Sequence, residues 1–197
     1  IAAKKISLSN PNVLYFADSL GAMDTPDVSK YVRILRKHWK GELGIHTHNN
    51  LGKALSNSLA AIKNGVTWID STVTGMGRGP GNSETEYLII EMAKFSKNKF
   101  NLLPISNLIK KYFEPLKIRY KWGPNPFYYL AGKYGIHPTY IQEMLTIKMD
   151  NIEILEAIKQ LKNGDGKKYD VNLVKSEFQK PIKLSVGKWS PKNKIYN

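Results

Sequence analysis

The sequence predicts an α/β chain: strand–helix units over residues 1–98, then a mostly helical segment. Three observations carry this. Short apolar runs alternate with amphipathic stretches three times in the first half. A polar cluster follows each apolar run. Beyond residue 99 the strand signal stops and helix-start signals recur. With 42% hydrophobic residues, four Trp, eleven Tyr and six Phe among 197 residues, the chain can bury a core, which argues against wholesale disorder.

The opening residues, IAAKKISLSNPNVLYF, read as the tail of a helix feeding a strand, as in a piece of a longer protein. Val13–Ala17 is the first predicted strand and runs into the polar loop Asp18-Ser19-Leu20-Gly21. Thr25 as N-cap, Pro26 at the first helical position and Asp27 in the first turn start a helix, with Val28, Tyr31, Leu35 and His38 on one face. Leu43–His46 is the second strand. The next helix, about 52–63, carries Leu55, Leu59 and Ile62 and ends at Asn64-Gly65. Val66–Asp70 is the third strand. The loop GMGRGPGN at 75–82 then leads to a helix with a capping box from Ser83 to Glu86. Repeated βα units imply a parallel sheet, doubly wound or closed as a barrel, and in both the sites lie at the carboxyl ends of the strands.

Further helices are expected near 105–114, 124–134, 138–148, 151–162 and 170–178. Pro138, the pair Asp150 with Glu153, and Asp170 mark starts. Asn163-Gly164-Asp165-Gly166 is a break, and 179–197 reads as an irregular basic tail. The units are therefore 1–98, 99–178 and 179–197.

The formal net charge is +14, and the excess is uneven: residues 1–98 carry twelve basic and eight acidic side chains, residues 99–197 eighteen and eight. A basic half attracts anions. Here the lysines are scattered singly over amphipathic helices, with no helix-turn-helix, zinc finger or RNA-binding aromatic motif beside them, so no nucleic-acid partner is expected. With no Cys, disulfides, thiolate metal sites and cysteine nucleophiles are excluded. No apolar stretch approaches the ~18–20 residues of a membrane span, and no signal peptide is visible, so a cytoplasmic protein without a membrane partner is expected.

His46-Thr47-His48 is the sharpest local feature. Residues i and i+2 of a strand share a face, which places two imidazoles ~6–7 Å apart where both reach one divalent ion. The pair sits at a predicted strand end, is followed by Asn49-Asn50, and uses two of the four histidines in the chain. The glycine loop is neither a Walker loop nor a dinucleotide fingerprint. It serves either close approach to a ligand or a tight strand-to-helix turn. Asp18-Ser19 offers a carboxylate and a hydroxyl at the first strand end, or a plain turn.

The combination FADSLGAM at 16–23, GIHTHNNLGKALSNSLAAIKNGVTWIDST at 44–72, and GMGRGPGN at 75–82 with Glu84 and Glu86 resembles the metal-dependent aldolase and lyase superfamily of TIM barrels. Members include 4-hydroxy-2-oxovalerate aldolases, 3-hydroxy-3-methylglutaryl-CoA lyases and 2-isopropylmalate synthases. The His-Asn-Asn and GMGRGPGN sequences look closest to the aldolases. Residues 122–145, WGPNPFYYLAGKYGIHPTYIQEML, look like the helical region that follows the barrel in that branch.

The resemblance implies the C-terminal part of a (β/α)8 barrel, about three βα units, followed by a mostly helical segment. It implies that His46 and His48 are metal ligands on the seventh strand, that Ser19 contacts substrate after the sixth, and that Asn82 lies at the metal after the eighth. Asp18 and Asn50 would orient these groups, Gly77 and Gly79 would border them, and Tyr128 or Tyr129 would line the pocket. The implied cofactor is a divalent cation, manganese foremost, with magnesium, cobalt or zinc as alternatives. The implied substrate is a small 2-oxo acid, cleaved or formed as a 2-oxo-4-hydroxy acid through a pyruvate enolate. Alternatives are acyl-CoA-dependent lyase or synthase chemistry, or a truncated chain inactive in isolation. The family's first strand, with its Arg-Asp pair and the His base that follows, is not found among these 197 residues. Two of three protein ligands are thus expected here. An uncovered inner sheet face is expected to meet the rest of the barrel, a homo-oligomer contact or a rearranged packing.

Overall fold

A computed structural model describes residues 2–9, 11–94, 100–164 and 166–171. Helix α1 (Ala2–Ser7) leads to strand β1 (Val13–Asp18), helix α2 (Thr25–Arg36), strand β2 (Glu42–Thr47), helix α3 (Ala54–Lys63) and a short strand β3 (Trp68–Ile69). The three strands are parallel in the order β1-β2-β3, with Ala17 opposite His46 and Ile45 opposite Ile69. Only two residues of the expected third strand pair as a ladder. Val66 instead closes the α3 turn on Ala61.

Side chains alternate across the sheet. Leu14, Leu43 and Ile45 point under α2 and α3, where they join Val28, Val32, Trp39, Ala61 and Val66 in one core. The opposite face carries Tyr15 and Trp68, 42% and 49% exposed. No described element covers it, as expected of an inner barrel face.

Two helix readings shift. The N-cap of α2 is Asp24, whose carboxylate accepts from the Asp27 N–H while Asp27 returns the bond, so Thr25 lies inside the helix. Its inner face is Val28, Val32 and Leu35; Tyr31 and His38 are exposed. On α3 the buried residues are Ala54, Asn57, Ser58 and Ala61, not Leu55, Leu59 and Ile62, which are half-buried. The helix lies close on β2: Thr47 Oγ1 reaches the Ala54 carbonyl at 3.2 Å and Ser58 Oγ at 3.0 Å, and only small side chains fit that approach.

After a 3-10 turn at Val73–Gly75, α4 (Thr85–Met92) begins without the expected Ser83–Glu86 box. Glu86 accepts from the Thr74 N–H instead, and Ser83 is buried in extended chain between Thr47 and Thr72. Next, α5 (Leu103–Leu108) passes through a π turn (Ile109–Phe113) into α6 (Glu114–Tyr120). Pro115 explains the wide turn, since its ring has no N–H and crowds the carbonyl four residues back.

The second core lies in α7 (Pro126–Tyr134), α8 (Pro138–Thr146) and α9 (Asn151–Asn163), around Tyr128, Tyr140, Met144 and Ile158. The Asp150–Glu153 capping box forms as expected. The expected helix over 170–178 lies outside the described residues beyond Val171, as does the tail over 179–197. Among the described residues no helix is long and apolar enough to cross a membrane.

Candidate metal centre

Strand β2 delivers His46, and His48 follows one residue past its end. The two ring centroids are 4.8 Å apart with planes at 82°. This is closer than strand geometry alone predicts, because His48 leaves the ladder to form an isolated antiparallel bridge with Asn82. His46 Nδ1 lies 3.2 Å from Asp70 Oδ2. His48 Nδ1 lies 2.8 Å from the Asp18 carbonyl oxygen. A carbonyl and a carboxylate only accept, so both rings donate from Nδ1, and the neutral form of each carries its lone pair on Nε2. Among the described residues neither Nε2 has a hydrogen-bond partner. A ring held at one nitrogen by a carboxylate or carbonyl, with the other nitrogen free, is the usual state of a metal-binding histidine. The two side chains therefore fit a divalent cation.

Electrostatics agree. Burial pulls His48 below the usual imidazole range, and the bond to Asp18 only partly opposes it, so the ring is neutral at neutral pH. Asp18, 3% exposed, is raised by burial against the pull of the backbone N–H groups of Ala22 and Met23. Its carboxylate organises that loop, while its carbonyl orients His48. Asn82 donates from Nδ2 to the Met76 carbonyl at 3.2 Å and to Thr72 Oγ1 at 3.5 Å, which leaves Oδ1 without a hydrogen bond among the described residues. No group of three or more His, Cys, Asp or Glu able to hold a metal occurs among the described residues. The nitrogens that lie together here are those of His46 and His48.

The other expected residues divide. Ser19 is exposed at the β1 end. Asn50 is fully buried and wedged between two glycines: a Cβ on Gly21 would meet its Oδ1 at 2.0 Å, and one on Gly132 its Cβ at 2.9 Å. Its Nδ2 reaches the Tyr128 carbonyl at 3.5 Å. Asn50 therefore joins the β1 loop to α7 and, among the described residues, hydrogen-bonds neither imidazole. Tyr128 is buried against the glycine loop, and Tyr129 is exposed. Gly77 gives room to the Asn82 amide and Gly79 to the Tyr128 ring; a Cβ would meet them at 2.5 Å and 3.0 Å.

Asp70 is the residue that sequence reasoning missed. It lies one residue past β3, and its N–H donates to the Ile45 carbonyl, which sets it beside His46. The signal was a carboxylate ending the third strand in the same layer as the imidazoles. It also hydrogen-bonds Tyr15, whose hydroxyl is raised by partial burial and then by the Asp70 charge. Asp70→Asn is expected to weaken cation binding roughly 10–100-fold with the fold intact, measured by Mn²⁺ titration.

Parallel strands backed by helices, with a polar site at the strand ends, define part of a TIM-barrel domain of the HMGL-like kind. The HMGL-like family pattern matches residues 2–108, more than half of the chain, and the chain belongs to that family. It is 30% identical over 186 residues to 4-hydroxy-2-oxovalerate aldolase of Carboxydothermus hydrogenoformans, covering 92% of this chain and 55% of that protein. It is 35% identical over 115 residues to the enzyme of the same name from Geobacillus stearothermophilus, covering 58% of this chain and 34% of the relative. The chain thus spans about half or less of these relatives' length. The N-terminal domain of a "putative aldolase" from Bacteroides vulgatus superposes with a TM-score of 0.66 at 32% identity, over 74% of this chain and 48% of that one. The carboxyl transferase domain of Rhizobium etli pyruvate carboxylase shares the fold, with a TM-score of 0.60 at 16% identity over 81% of this chain and 27% of that one.

Proposed function

We propose that this chain is the C-terminal part of a divalent-cation-dependent aldolase that cleaves or forms a 2-oxo-4-hydroxy acid. The βα units within Val13–Met92 are its last ones, and the helices within Leu103–Asn163 follow them. The observation that carries the reading is the pair of free Nε2 atoms at one strand end, each ring locked from its far side. A bound cation, manganese foremost and magnesium, cobalt or zinc after it, supplies Lewis acidity toward the carboxylate and 2-oxo group of the substrate.

The chain's own residues then have defined tasks. His46 and His48 hold the cation through Nε2, and Asp70 and the Asp18 carbonyl keep both rings in the ligating tautomer. Asn82 presents its free Oδ1 beside them. Ser19 contacts the substrate from the β1 loop. Tyr128, pushed up to about 12 by burial, remains a phenol and donates a hydrogen bond toward the aldehyde half. The remainder of the barrel supplies the third ligand and the base for the 4-hydroxyl proton, and it covers the sheet face bearing Tyr15 and Trp68. A homo-oligomer is the alternative cover.

The test is pyruvate release from 4-hydroxy-2-oxopentanoate by the complete protein with Mn²⁺. Chelation is expected to abolish release and added Mn²⁺ to restore it. Release that persists after the cation is stripped removes the proposal.

A further inference from the structure

Across the glycine loop from the imidazoles lies a cleft of about 640 Å³, bounded by Gly77–Gly79, the end of α6, and helices α7 and α8. Its polar walls are Arg78, Tyr120, Lys121, Asn125, Tyr128 and Gln142, two cations with no carboxylate among the lining residues. Among the described residues neither Arg78 nor Lys121 lies within ion-pair distance of a carboxylate. Tyr128 is a protonated donor, and the Arg78 charge acts on it as well as on His48 and His137. Asn125 accepts the Tyr128 N–H through Oδ1 at 2.9 Å, which leaves its NH2 as a donor. Lys121 sits in the left-handed region at φ 55°, a conformation in which its Cβ is a burden and glycine is the usual residue. A lysine kept there keeps a cation at the cleft.

The cleft is also joined to the metal centre. Gly77 lines it and lies against the Asn82 amide, and Asn82 bridges His48. One short loop separates the two sites.

We propose that this cleft binds the anionic far end of the substrate, a carboxylate or phosphomonoester on the aldehyde half. The preferred substrate is then a 2-oxo-4-hydroxy acid with a second anionic group, ahead of one ending in a short alkyl chain such as 4-hydroxy-2-oxopentanoate. The identity of the bound molecule rests on the aldolase reading; the affinity for an anion stands on the cleft alone.

The experiment is an NMR-monitored titration of the full chain with glycerol 3-phosphate, glutarate and glycerol. At least one anionic probe binds, and neutral glycerol binds roughly tenfold more weakly or not at all. Arg78→Gln weakens the anion roughly tenfold and Lys121→Gln several-fold, whereas Lys133→Gln, at an exposed cation outside the cleft lining, leaves it unchanged. Tighter binding of glycerol 3-phosphate than of glutarate assigns a phosphomonoester, and the reverse a carboxylate. In pyruvate release by the complete protein, Arg78→Gln raises KM for the substrate with the anionic end and not for 4-hydroxy-2-oxopentanoate. Anion binding that Arg78→Gln abolishes, without pyruvate release from either substrate, supports the anion site and removes the aldolase reading. Binding indifferent to both substitutions, equal binding of glycerol, or no binding overturns the proposal.

Discussion

Alanine in place of His48 is expected to cut Mn²⁺ affinity by more than about a hundredfold, beyond the range for losing an orienting partner. The size follows from the donor count, since two imidazole nitrogens are what the described residues bring together. The remaining ring, even with Asp70 behind it, then offers a single nitrogen. The His48 ring is neutral because burial disfavours its cation, and the Asp18 carbonyl fixes the nitrogen that carries the proton. Little ordering is therefore left to the moment of binding, and the loss falls on affinity. His48 is only half-buried at a strand end, so the folded spectrum and melting temperature of the apoprotein should barely move. Metal content that stays stoichiometric in the purified variant would falsify the ligand assignment.

The largest structural effect is expected at Gly81. Its φ is +78°, and a Cβ would stand 2.3 Å from the Gly75 carbonyl oxygen. That oxygen is fixed, because it accepts the Asn82 N–H at 3.1 Å and belongs to a glycine with φ +65°. A backbone atom so held does not step aside as a side chain would. Gly81→Ala should cost about 2–4 kcal/mol and lower the melting temperature by roughly 5–10 °C. Gly52→Ala is the control. Its φ is +66°, but a Cβ there meets nothing within 4 Å, so only the left-handed backbone cost of about 1–2 kcal/mol applies. Equal losses in the two variants would show that the packing of the glycine loop is not the cause.

What could be read in the sequence was whatever rests on short period. The spacing of two between His46 and His48 points both rings to one side of an extended chain, while their approach to 4.8 Å depends on His48 leaving the ladder to bridge Asn82. The Asp150–Glu153 box is local and forms as expected. The losses came where a distant group outbid a local one. Glu86 is taken by the Thr74 N–H, so Ser83 caps nothing. On α3, large apolar residues suggested one face, but the narrow gap to β2 admits Ala54, Ser58 and Ala61. Asp70 becomes a partner of His46 only through strand register, which periodicity does not report. The spacing of the four loop glycines was visible. What they make room for, the Asn82 amide and the Tyr128 ring among them, belongs to the folded chain.

Asn50, wholly enclosed between two glycines that belong to different segments, works as a dowel. Helix α7 cannot slide along the sheet ends without shearing that side chain, so the tyrosine and the histidine pair are locked at a constant span. The spacing of those side chains is therefore set by an amide that forms no hydrogen bond to either imidazole.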